Sequence, residues 1–255
     1  MSKRVITGLL LAALMLPVVL VGGWLLELVS IAVIVAVSYE WLHALPGFIS
    51  WGLPVTALMA SGACLTPWVP LAMRIPVMAV FTLGLWSLPV FTEKVSEQDS
   101  LTMVAGYLLF TLAETGIVQL ESAPLYLLTM ALGTYCSDTC AYFSGRAFGK
   151  HKMNPRVSPK KTWEGFFGGA IGGFVISLLV SWLYVNQLNF SLNFLLCLFC
   201  PVVAELGDLC FSSYKRAHGL KDFSHILPGH GGILDRFDSL IANLILFCLL
   251  SGFLL

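Results

Sequence analysis

Apolar residues run along this chain in long blocks, and the polar positions between them are few and clustered. Nine blocks are long enough to cross a bilayer as helices of about 20 mainly apolar residues: 5–22, 25–43, 48–65, 69–91, 101–119, 123–143, 164–185, 191–213 and 239–255. The pattern predicts an all-α, polytopic integral membrane protein of about nine transmembrane helices in one membrane domain. Two long polar breaks, 144–162 and 215–238, both fall in the second half. Residues 1–122 therefore read as scaffold helices and 123–255 as the half that carries the polar, chemically active positions. Pro46, Pro54, Pro67, Pro70, Pro76 and Pro89 mark helix ends and kinks in the first half.

Composition supports the membrane class. The 255 residues are 58% hydrophobic and only 11% charged, far from an ordinary soluble domain. Charge then sets a direction across the bilayer, because short cytoplasmic loops carry an excess of Lys and Arg. With the N-terminus inside, 13 of the 14 Lys and Arg residues fall on the cytoplasmic side. Arg74 is left over, near the outer end of the fourth segment, where it can snorkel. The predicted topology is N-terminus inside and C-terminus outside. Lys3 and Arg4 before an apolar run resemble a signal peptide, but a second run follows at once and no small-residue cleavage site stands out. The run is read as a retained helix. A formal net charge of zero says nothing about partners here, since the charge is segregated by membrane side.

Several features have a bland reading. The seven cysteines all sit in or beside apolar segments and read as small buried hydrophobes. Cys197 and Cys200 have redox or zinc spacing, but lie mid-helix without further ligands nearby. Gly165, Gly169 and Gly173, with Gly168 and Gly172, give the seventh segment a face on which another helix can pack closely. Glu27 and Glu40 lie near segment ends and read as structural or interfacial. Glu114 is deeper and is a functional candidate.

The chemistry concentrates between Ser212 and Asp238, where seven charged side chains and a Gly-rich turn interrupt the apolar pattern. Lys215, Arg216, Lys221 and Arg236 offer cations, Asp222, Asp235 and Asp238 offer carboxylates, and Gly231 and Gly232 offer backbone that a ligand can approach closely. His230 is boxed by glycines. Glu205 and Asp208 share a helix face three residues apart, and Asp235 and Asp238 repeat the spacing at the start of the last helix. Four carboxylates at one depth need neutralisation, either by salt bridges to Lys215, Arg216 and Arg236 or by a hard divalent cation such as Mg²⁺. Asp138 adds a fifth acid near the inner end of the sixth segment. In the other break, Lys160 and Lys161 precede a helix start, where free N–H groups also attract phosphate. The mixture suits a phosphate and a metal together.

Three runs carry a resemblance: SSYKR with KD four residues on, then PGHGGILDRFD; upstream SDTCAYFSGR; and SPKKTWEG. Together they resemble the signature of phosphatidate cytidylyltransferases, also called CDP-diacylglycerol synthases, in motif detail over about 130–245. Tyr214 stands where the family pattern has an aliphatic residue or Phe. Phe211 stands where an acid usually precedes the Ser matching Ser212. Glu205 lies as far from Asp208 as Phe211 does and is placed to compensate.

The resemblance implies that CTP and phosphatidate give CDP-diacylglycerol and diphosphate, by attack of a phosphatidate oxygen on the α-phosphorus. It implies Mg²⁺, with room for a second cation, on Asp208, Asp235 and Asp238, with Glu205 and Asp138 as weaker candidates. Lys215, Arg216, Lys221, Lys160 and Lys161 would neutralise phosphates, with Asp222, His230 and Arg236 also in the catalytic set. Ser212, Gly231 and Gly232 would contact the nucleotide. It also points to a bacterial inner membrane with the site on the cytoplasmic face, and to a homodimer; no nucleic acid partner is suggested. Two other readings stay open. A CTP-dependent lipid kinase would transfer the γ-phosphoryl group and release CDP. A transporter would scatter its acids near the midplane of both halves, whereas these cluster in one half.

Overall fold

A computed structural model describes residues 13, 17–121, 123–227, 229 and 231–254. Most of the chain is helical. The helices are α1 (Gly23–His43), α2 (Phe48–Leu65), α3 (Leu71–Trp86), α4 (Leu88–Phe91), α5 (Glu97–Leu120), α6 (Leu125–Phe148), α7 (Trp163–Ser181), α8 (Phe190–Ala217) and α9 (Leu234–Leu254). One small antiparallel hairpin, β1 (Lys152–Asn154) with β2 (Ser158–Thr162), precedes α7.

Six of these elements are long and apolar enough to cross a membrane: Gly23–His43, Phe48–Trp68, Glu97–Leu120, Trp163–Ser181, Phe190–Ala217 and Leu234–Phe253. Large apolar side chains remain exposed on them, among them Ile49, Leu53, Ile171, Leu179 and Phe253. Such faces are tolerated where lipid replaces water. The protein is an integral membrane protein of mainly helical build. The first predicted segment, 5–22, lies largely outside the described residues.

Three expectations about elements are corrected. The segment 69–91 is not one helix: α3 stops at Trp86 and a separate turn of helix follows, with Pro89 near its start. The segment 123–143 extends to Phe148, and its Thr129, Thr134, Ser137 and Asp138 keep it out of the apolar set. The break 144–162 is not simply a loop. Asn154 turns the chain, its backbone and side-chain oxygens both accepting from Val157 N–H at 3.2 and 3.3 Å.

The chain forms two compact units. The first holds the described residues up to Gln119 together with Asp222–Arg236; the second holds Leu120–Lys221 and Phe237–Leu255. Helix α9 begins in the first and continues in the second.

In the first unit, Trp41 of α1 donates to the Thr102 carbonyl of α5 at 3.0 Å and lies over Gly106, where no side chain could fit beside the indole. Deeper in, Ser30 of α1 donates to Glu114 of α5 at 2.9 Å, so this buried acid joins the two helices.

In the second unit, the glycine face of α7 packs on α6. A Cβ at Gly169 would stand 2.8 Å from Ala141 Cβ and 3.0 Å from the Ser137 carbonyl. One at Gly165 would stand 3.1 Å from the Ala141 carbonyl, and one at Gly173 2.9 Å from the Gly133 carbonyl. The opposing residues on α6, Gly133, Ser137 and Ala141, are also small and also recur every fourth residue. Two small-residue faces thus bring the backbones together, as in other membrane helix pairs. Thr162 caps α7, its hydroxyl accepting from Gly165 N–H at 3.1 Å. This cap fixes the residue next to Lys161.

Candidate functional site

In the second unit, residues 205, 208, 212 and 215 follow the 3-4-3 spacing of one helix face, which places Glu205, Asp208, Ser212 and Lys215 along a stripe of α8. The hairpin delivers Lys161 to that stripe. Its ammonium lies 2.7 Å from Glu205 Oε2 and 2.5 Å from Asp208 Oδ2. Ser212 donates to the other oxygen of Asp208, at 3.4 Å. Glu205 is only 3% exposed, while Asp208 keeps 31% of its side chain accessible. Burial alone would push the Lys161 ammonium down, but the charges and hydrogen bonds of Asp208 and Glu205 outweigh it and hold the lysine above its ordinary value. One cation is therefore shared by two carboxylates. Lys161 is a salt-bridge partner of both acids, where the sequence left open salt bridges to Lys215, Arg216 and Arg236 or a divalent cation. Phe211 itself is buried, and Glu205 stands with Asp208.

Gly207 decides how close α9 comes to this stripe. A Cβ there would lie 2.6 Å from Ala242 Cβ and 3.6 Å from the Asp238 carbonyl. The glycine beside Asp208 thus admits the helix that carries Asp238, which is itself buried. Lys215 is buried in the last turn of α8, and its carbonyl accepts from Leu220 N–H at 2.8 Å. Arg216 Nη1 donates to the Leu220 carbonyl at 2.6 Å. Lys160 and Lys221 are exposed, as is Asp138 on α6.

In the first unit, the segment Asp222–Arg236 is shaped by two carboxylates. Asp235 Oδ2 accepts from Phe223 N–H and Gly232 N–H, each at 2.8 Å. Leu227 and Gly231 form an isolated antiparallel bridge. Gly231 has φ +85°, a conformation that favours glycine, and a Cβ there would lie 2.8 Å from Asp235 Oδ2. The second carboxylate is Glu40 of α1. It accepts from Ser224 Oγ at 2.6 Å, from Ile233 N–H at 2.9 Å and from Leu234 N–H at 2.7 Å. A Cβ at Gly232 would stand 2.6 Å from its Oε2. The glycine pair thus makes room for carboxylates of the chain itself. Asp222 is half-buried beside Gly231, Arg236 is exposed, and His230 lies outside the described residues.

Glu40 reads from the sequence as structural or interfacial; it is 1% exposed and tied to this segment, so the structural alternative holds and the interfacial one does not. The signal was the acid in an apolar run; its partners, more than 180 residues away, were not visible. Among the described residues no group of three or more His, Cys, Asp or Glu side chains is disposed to hold a metal ion. Glu205 and Asp208 are hard oxygen donors of the kind a divalent cation takes, and Lys161 pairs with both here.

This combination, apolar membrane-crossing helices with carboxylates and cations at helix ends, defines an integral membrane protein with charged clusters beside its apolar spans. Residues 2–254 match the Cytidylyltransferase family. The chain is 32% identical over 252 residues to the phosphatidate cytidylyltransferase of Staphylococcus epidermidis, covering 94% of each chain. Against the enzymes of the same name from Staphylococcus saprophyticus and Staphylococcus aureus it is 33% identical over 254 and 255 residues, again with 94% of each chain covered. The protein belongs to the cytidylyltransferase family.

Proposed function

We propose that this protein is a phosphatidate cytidylyltransferase, joining CTP and phosphatidate into CDP-diacylglycerol with release of diphosphate. The observation that carries the reading is similarity over 94% of this chain and 94% of each relative, to enzymes of that name. A phosphate monoester is already anionic near neutral pH, so the chain need not supply a nucleophile. It has to hold two polyanions together and neutralise charge moving onto the leaving diphosphate.

Lys161 is proposed to exchange its carboxylate partners for phosphate, with Lys160, Lys215, Arg216, Lys221 and Arg236 as further cations. Ser212, Gly231 and Gly232 are assigned to the nucleotide, and Asp222 and His230 complete the catalytic set. Asp208, Asp235 and Asp238 are the proposed ligands for Mg²⁺, with Glu205 and Asp138 as secondary ones and a second cation accommodated. When bound, Mg²⁺ would neutralise developing phosphate charge.

The proposed setting is nine transmembrane helices with the N-terminus inside, a bacterial inner membrane, a cytoplasmic site and a homodimer. The six apolar helices support the membrane setting and the cation asymmetry supports the orientation. The test is diphosphate release from CTP by purified protein in detergent, with and without phosphatidate and Mg²⁺. Release that needs the lipid and is lost in Asp235→Asn is the expected result. CDP in place of diphosphate would indicate phosphoryl transfer and overturn it.

A further inference from the structure

We infer that Glu40 is a positioning residue for the segment 222–236, holding the backbone that presents Gly231, Gly232 and Asp235. The inference rests on the reading of that segment as part of the cytidylyl-transfer site. Glu40 sits in the last turn of α1, yet its three hydrogen-bond donors among the described residues belong to this one segment: Ser224 Oγ, Ile233 N–H and Leu234 N–H. Leu234 opens α9, so its N–H has no partner within the helix. Glu40 supplies that partner from 194 positions away. A carboxylate at a helix start is also favoured by the helix dipole.

The hydrogen bonds of Glu40 to described residues converge on this segment, unlike those of an acid buried for general packing. Asp235 grips the same segment through Phe223 and Gly232 N–H. The two acids fix Gly232 between them: its N–H is bound by one and its Cα is packed against the other. Loosening Glu40 frees the residue pair Ile233 and Leu234, and with it the turn from which Asp235 projects.

The test uses full-length protein in detergent with Glu40→Gln, Glu40→Asp and Ser224→Ala. Gln keeps the size but replaces one oxygen with a donor facing an N–H group. Expected for Glu40→Gln are amide exchange at Ile233 and Leu234 faster by about tenfold or more, and an apparent KM for CTP raised about tenfold, the scale of one lost hydrogen bond to a charged group. The KM for phosphatidate stays within about twofold. Glu40→Asp recovers part of both effects, and Ser224→Ala shifts both in the same direction by less. If Glu40→Gln does not fold, these two variants decide. Lower thermal stability with neither local exchange nor the CTP dependence moved would overturn the inference. Wild-type protein without lipid-dependent diphosphate release would instead overturn the functional reading, while the exchange measurement would still decide the role of Glu40.

Discussion

At the level of single residues, the second unit turns on Lys161. Removing it leaves buried Glu205 and half-buried Asp208 without their shared cation. Breaking a fully buried pair costs about 3–5 kcal/mol, and the accessibility of Asp208 reduces this to about 2 kcal/mol. Lys161→Met should lower the melting temperature in detergent, and adding Glu205→Gln should recover part of the loss. The pH dependence follows from the raised lysine. Its stabilisation is fully present below the ordinary value of 10.5 and lost as pH rises through the higher folded-state value. The stability gap between wild type and Lys161→Met should therefore stay constant from about pH 7 to about pH 9.5 and close only above that range. A gap that closes near neutrality would refute the assignment. In the first unit, Gly232→Ala would push a methyl into the Glu40 carboxylate. Its cost should fall when combined with Glu40→Ala, a coupling of at least about 1 kcal/mol in a double-mutant cycle.

Among the elements, the α6–α7 contact is the most demanding. The facing backbones come within reach of each other because Gly165, Gly169 and Gly173 meet Gly133, Ser137 and Ala141. Gly169→Ala should destabilise by about 1–3 kcal/mol through overpacking, and Gly169→Leu should prevent recovery of folded protein; thermal melts and size-exclusion profiles in detergent check both. Gly84, beside which nothing lies within 4 Å, is the matched control. Its replacement by Ala should be tolerated. The glycine periodicity on α7 was legible in the sequence because it is a local repeat. The hairpin was not, because its strands are three and five residues long and one contains Pro159. Reading 69–91 as one helix failed for a related reason: apolar character persists through Ser87 and Pro89 although the backbone is interrupted there.

For the whole molecule, the strongest regularity is the segregation of Lys and Arg to alternate breaks between apolar blocks. Single-cysteine reporters placed at the exposed Lys94 and Glu121 positions should label from opposite sides of inverted and right-side-out vesicles. Labelling of both from one side would refute the proposed topology. The sequence by itself determined the membrane class and the family signature, because apolar length and short motifs are written locally. Tertiary structure alone decided which charges meet. Lys161 pairs with Glu205 and Asp208 because a hairpin carries it there, and Glu40 reaches Leu234 because the end of one helix lies against the start of another. These pairings join residues tens to nearly two hundred positions apart, and pairing at such distances depends on backbone geometry that no local pattern encodes.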